Sequence, residues 1–328
     1  MPFKIDGFLL SLVATVVLAV VWPAGGETGG VLHMDLIAKY GVSVIFFLYG
    51  LTLDPHKMRA GLGHWRLHIT VQLATFVLFP IIILAVTPIF SPLLPPAVWL
   101  GFFFLAALPS TVSSSVAMTS LAHGNVPVAI FNATLSSLIG VFVTPLLMAW
   151  YASASGDHMP LGEVLFKIIL LLLMPIIVGQ IARHWLARWA HRHAKSIKLA
   201  DRAIILAIVF NSFADSVAAG LWSKQDPMVI LEMIVGVNVL FAVVYFLMKI
   251  PCKLMHFNRE DTIAAVFCGS KKSLATGVPM GTLMFAGDPA LGLIIAPIML
   301  YHFCQLVIVS VIASRYAHEA TLAAKAAK

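Results

Sequence analysis

Ala264-Ala-Val-Phe-Cys-Gly-Ser-Lys-Lys-Ser-Leu-Ala-Thr-Gly-Val-Pro279 is the stretch that decides how this chain is read. It begins and ends as an apolar helix, yet residues 269–273 read Gly-Ser-Lys-Lys-Ser. The apolar segment around it spans 262–285, which puts the lysines nine or ten residues in, roughly 15 Å at 1.5 Å per residue. One lysine near the centre of a membrane-spanning helix costs roughly 2.5–3.5 kcal/mol on insertion scales. Two at that depth are too far in to snorkel to water along a dry helix. Small residues serve close helix packing in membranes, but packing does not ask for lysines. Lys271 and Lys272, with Ser270 and Ser273 beside them, are therefore candidate site residues.

The rest of the chain supplies the membrane. Of 328 residues 60% are hydrophobic and 11% charged, against about 45–50% and 25% in soluble domains. Apolar runs broken by Pro, Gly and charge predict ten spans, near 7–23, 36–53, 67–90, 97–122, 126–151, 162–183, 203–222, 228–249, 262–285 and 289–315. This excludes a secreted enzyme, a DNA-binding module and a single-span receptor. Cys252, Cys268 and Cys304 lie apart in apolar surroundings, without disulfide or zinc spacing.

Charge orients the spans. Sixteen of the twenty-one Lys and Arg residues fall on the side of the termini and the even-numbered connections, six of them between Arg183 and Arg202. The other side holds Lys39 and Lys224, with Lys167 at a helix start. The positive-inside rule then places both termini in the cytoplasm of a multi-pass inner or plasma membrane protein. The net charge of +7 is thus a topology signal, with no nucleic-acid partner implied. Arg183–Arg202, with Trp185 and Trp189, is expected along the cytoplasmic interface between the sixth and seventh spans. Lys4 before an apolar run ending in Ala24-Gly25-Gly26 also fits a cleaved leader; the charge asymmetry favours a retained span.

Five spans on each side of 152/153 give two halves, 1–152 and 153–328, and an odd number inverts the second. Inverted repeats are a plan of secondary transporters, with the site where interrupted helices meet at the midplane. The fourth span supplies the matching interruption: Leu108-Pro109 is followed by Ser110, Thr111, Ser113, Ser114 and Ser115. Pro109 removes a backbone donor, and the hydroxyls can satisfy the freed backbone or hold a ligand. The bland reading of each single serine is packing surface; the two interruptions together point to a site. Asn132, Thr134, Ser136 and Ser137 in the fifth span face the first break in this reading, and Tyr301, His302 and Gln305 take the comparable place in the tenth. Gln72, Asn211, Ser212 and Asp215 could border a polar cavity.

At these residues the chain resembles the bile acid:sodium symporter superfamily, nearest the branch of solute carrier family ten, member seven, and its bacterial relatives. The resemblance runs through Gly50-Leu-Thr-Leu53, Leu67-His68 with Gln72, Val112-Ser-Ser114, Gly124-Asn125, Ala129-Ile-Phe-Asn132 and Thr144-Pro-Leu-Leu147. It continues through Val178-Gly-Gln180, Lys272-Ser-Leu274, Gly277-Val-Pro-Met280 and Tyr301-His302 with Gln305. It implies an all-α, ten-helix fold with a panel of helices 1, 2, 6 and 7 and a core of helices 3–5 and 8–10. The discontinuous helices four and nine cross in that core, which works by alternating access. It also implies a sodium ion near Ser114, Ser115, Asn132 and Thr134, with Ser137 close by. Sodium-coupled members carry a glutamate and a glutamine in the ninth helix; here Lys271 and Lys272 stand there and no carboxylate does. An ammonium about 4 Å from a cation site repels the ion by about 4 kcal/mol at an effective dielectric of about 20. Lys272 is accordingly read as the positive charge that replaces sodium.

The expected function is a secondary transporter of a small organic anion, coupled to Na+ or H+, without another cofactor and with lipid as its surroundings. The alternatives are a cation/proton antiporter of related fold and a regulatory membrane protein that binds without transporting. A hydrolase using Ser270 or Ser273 with Lys271 lacks every accompanying motif, neither Gly-x-Ser-x-Gly nor His-Glu-x-x-His being present.

Overall fold

The protein is described by a computed structural model covering residues 7–52, 63–154, 170, 173–220, 222–223 and 226–326. The regular structure of these residues is helical throughout. We label α1 Gly7–Val21, α2 Met34–Thr52, α3 Trp65–Phe90, α4 Pro96–Ala107, α5 Ser113–Leu121 and α6 Val126–Ala154. There follow α7 Met174–Arg192, α8 Ala194–Ala218, α9 Pro227–Leu254, α10 Arg259–Gly269, α11 Leu274–Met284 and α12 Leu291–Ala326. Among the described residues, five helices are long and apolar enough to cross a membrane: α2, α3, α6, α9 and Leu291–Ala320 of α12. Leu10–Val21 and α4 are shorter apolar helices. The expected start of the sixth span lies outside the described residues, as do Lys4, Lys57, Arg59, Lys167, Lys224 and Lys328 of the charge count, while the expected junction of the two halves at 152/153 falls within the last turn of α6.

The chain divides into two compact units. One comprises Met1–Leu53, Ala149–Val229 and Ala275–Ala296; the other comprises Asp54–Met148, Ile230–Leu274 and Pro297–Lys328.

In the first unit, α2 and α7 touch backbone to backbone. A Cβ on Gly50 would fall on the carbonyl of Ile176, and one on Gly179 on the carbonyl of Phe47. The side chain of Gln180 donates to Gly50 O at 2.7 Å and Arg183 to Leu51 O at 3.2 Å. These are carbonyls of the last turn of α2, which its own helix leaves without donors. Asp215 accepts from Thr28 N at 2.7 Å and Thr28 Oγ1 at 2.8 Å, while Asn211 donates to Gly26 O at 2.9 Å. The basic stretch His184–Arg202 is helical: α7 continues to Arg192 and α8 starts at Ala194, with only His193 between. Its alanines, arginines, lysines and leucines are good helix formers. Trp185 and Trp189 are exposed, one turn apart.

In the second unit, α10 is capped by Asn258, whose side chain accepts from Asp261 N at 2.7 Å. Asn125 binds this end to α6. Its Nδ2 donates to Asp261 Oδ1 at 2.7 Å, its N–H to Glu260 O at 3.0 Å, and its Oδ1 accepts from Val128 N at 3.2 Å. Asp261 is buried, with His64 Nδ1 3.4 Å from its other oxygen. Asn125→Ala removes both a cap and a hydrogen bond to a buried carboxylate. The expected cost is about 2–3 kcal/mol, seen as a lower midpoint in detergent unfolding.

Candidate functional site

Three backbone carbonyls of the second unit are orphaned by the sequence. The first is in α3, which passes through a π-helical turn at Ala74–Leu78, so that Phe79 N bonds to Ala74 O. In that register Thr75 O requires the N–H of residue 80, and residue 80 is proline. The other two are at the end of α4. Leu108 is extended (φ −72°, ψ 153°) ahead of Pro109, and Ser110 N turns to Ser136 Oγ at 2.9 Å. Ala106 and Leu108 thereby lose their usual donors. Ala107 O is taken by Thr144 Oγ1 at 2.7 Å.

Lys272 fills the place where these three meet. Its Nζ donates to Thr75 O at 2.7 Å, Ala106 O at 2.7 Å and Leu108 O at 2.8 Å. The Phe79 ring lies beneath it, 4.1 Å from Nζ to the centroid, a cation–π distance. The negative end of the α4 dipole faces the ammonium. Gln305 holds the lysine's backbone at two points: Lys272 N donates to Oε1 at 2.9 Å and Gln305 Nε2 to Lys272 O at 2.8 Å. His302 Nδ1 lies 2.9 Å from the same Nε2.

The two non-helical stretches, Leu108–Val112 and Ser270–Ser273, are joined directly. Ser273 N donates to Pro109 O at 2.8 Å and Ser110 Oγ to Cys268 O at 2.6 Å. Ser115 Oγ reaches Phe267 O at 3.3 Å, and Tyr301 OH donates to Ser270 O at 2.7 Å. The polar backbone released where α10 stops is thus met by side chains of α5 and α12 and of the bend before α5.

Lys271 is equally buried but differently served. Its Nζ donates to Ser114 O at 2.9 Å, in the first turn of α5, and lies 5.9 Å from the Phe267 ring. An ammonium has three donors, so two directions are unused among the described residues. Neither lysine pairs with a carboxylate there; the ion pairs of this unit are His64–Asp261 and Arg259–Glu319.

The other expected site residues divide. Ser114 joins its hydroxyl to Thr111. Asn132 is buried, donates to Val128 O and receives Gln72 Nε2 at 3.3 Å on its carbonyl, while Gln72 Oε1 is buried without a partner. Ser113 is exposed, and Thr134 is buried. Ser137 and Ser270 donate their hydroxyl protons back to carbonyls four residues earlier, at Ala133 O and Val266 O. Around Ser114, Ser115, Asn132 and Thr134, where a sodium ion was expected, the ammonium of Lys271 donates to the Ser114 carbonyl and Ser115 Oγ donates to Phe267 O. The carbonyls of Thr75, Ala106 and Leu108, and Phe79 beneath them, were not expected from the sequence. Pro80, five residues after Thr75, is the signal that marks the first of them.

The family described as the SBF-like CPA transporter family matches residues 6–318. An uncharacterised protein of Pseudomonas aeruginosa is 42% identical over 324 residues, covering 99% of this chain and 96% of the relative. YfeH of Escherichia coli, provisionally named a symporter, is 37% identical over 312 residues, covering 95% and 93%. Sodium/bile acid cotransporter 7 of Mus musculus is 31% identical over 316 residues, covering 94% and 91%.

Proposed function

The chain belongs to the SBF-like CPA transporter family, and from that premise we propose that it is a secondary active transporter of a small organic anion, working by alternating access. In this reading ten helices form two inverted repeats, 1–152 and 153–328. α4 with α5, and α10 with α11, are the discontinuous fourth and ninth helices of a core made of helices 3–5 and 8–10. Helices 1, 2, 6 and 7 form the panel.

One observation carries the choice of an anion: Lys271 is fully buried, has one hydrogen bond and has no carboxylate partner among the described residues. A buried charge without a counter-ion is expensive, and a carboxylate, sulfate or phosphate group on the substrate would provide one. A cation/proton antiporter needs an acidic cation ligand at this place, which the described residues do not offer. An ammonium on the Ser114 carbonyl, beside the expected sodium ligands, repels a cation there, and that charge supports coupling to protons.

The test is uptake into proteoliposomes, with substrates found by a thermal-shift screen of organic anions. Uptake is expected to persist when external sodium is replaced by N-methylglucamine, and to follow an imposed pH gradient. Uptake that stops without sodium and ignores the pH gradient would refute proton coupling. Cation flux without any anion flux would refute the transport reading itself.

A further inference from the structure

Three carbonyl oxygens that converge on one point, from a π-helical turn and from the frayed end of a helix, form a coordination shell for a hard monovalent cation. Here the shell is filled from within the chain. The geometry points to Lys272 as a tethered cation: its ammonium permanently occupies a three-carbonyl cation site, so that the side chain neither binds substrate nor leaves room for a coupling ion at this place. This builds on the transporter reading above only in saying which lysine is withheld from the substrate.

Three features support it. Thr75 O, Ala106 O and Leu108 O each require an N–H, and only the charged form has three; a neutral amine would aim its lone pair at one of the oxygens. All three donors are spent at 2.7–2.8 Å, leaving none for a ligand. The lysine backbone is clamped on both its N–H and C=O by Gln305, and Phe79 closes the remaining side, so the ammonium is held in place rather than free to swing.

It follows that removing the side chain exposes a latent site. Lys272→Ala leaves three buried carbonyls without donors together with the space of the lysine stem. A small cation supplied in solution should fill both. The probes are methylammonium, n-propylammonium, sodium and N-methylglucamine chlorides at matched ionic strength, read as the thermal midpoint of the purified, full-length protein in detergent. Wild type is expected to have the same midpoint in all four salts. Lys272→Ala is expected to melt at least about 5 °C lower in N-methylglucamine and to recover with the logarithm of small-cation concentration, as a ligand specific to the folded state does. Lys272→Met fills the stem space without a charge. It is expected to be destabilised and to recover with none of the salts.

Small cations that raise the Lys272→Ala midpoint no more than they raise that of wild type would overturn the inference. So would a Lys272→Met protein as stable as wild type, or a Lys272→Ala protein that no small cation rescues. Because the readout is stability, failure here leaves anion transport standing, and failure of anion transport leaves this site standing.

Discussion

Lys271→Gln is expected to lower anion uptake at least about 100-fold while leaving the fold intact. Truncating one partner of a buried charge pair costs roughly 2–5 kcal/mol, and about 2.8 kcal/mol corresponds to 100-fold. The amide keeps a donor for Ser114 O, and it removes an ammonium that has no carboxylate partner among the described residues. Exchanging an uncompensated buried charge for a neutral group is neutral or stabilising. The unfolding midpoint should therefore stay level or rise as transport is lost. A purely structural lysine would give the opposite pattern, a falling midpoint with transport reduced only in proportion to folded protein. Uptake and thermal unfolding, measured on one preparation, distinguish the two.

The second large effect is expected far from either lysine in sequence. Gly50→Ala places a methyl group on the carbonyl of Ile176, and Gly179→Ala places one on that of Phe47. The obstacle is backbone in both cases, not the tip of a flexible side chain, so a helix must move. Overpacking typically costs about 1–3 kcal/mol and sometimes more; here about 3 kcal/mol or more is expected. Separating α2 from α7 also strains the bonds from Gln180 to Gly50 O and from Arg183 to Leu51 O. Detergent unfolding of each variant checks this, and an unchanged midpoint for Gly50→Ala would refute the close contact.

What the residues disclosed in advance follows from how each interaction is made. The lysine pair and Pro109 were legible because hydrocarbon penalises charge, and proline removes a donor wherever it stands. The direction of a hydroxyl was not legible. Ser115 leaves its helix for Phe267, Ser137 bonds back to Ala133 and Ser113 is exposed, yet all three are serines in apolar helices. The shell around Lys272 was hidden for another reason. Its oxygens belong to Thr75, Ala106 and Leu108, and any residue type presents the same carbonyl. Only the missing donor at Pro80 leaves a mark in the sequence. The ends of the helices around His184–Arg202 were not legible, because charge was read as the end of a span while alanines and leucines continue the helices through it.

The ammonium seated on the three carbonyls also bears on energy conversion. A dissociable ion is loaded on one side and released on the other, so its gradient does work in every turnover. A charge fixed to the polypeptide moves forward with the loaded carrier and back with the empty one. Over a closed cycle the roughly 2.3 kcal/mol per elementary charge at 100 mV cancels for it. In the proposed transport cycle a fixed Lys272 can set how voltage divides between the two half-cycles, but it cannot supply net driving force, which leaves the whole thermodynamic drive to whatever binds and departs elsewhere.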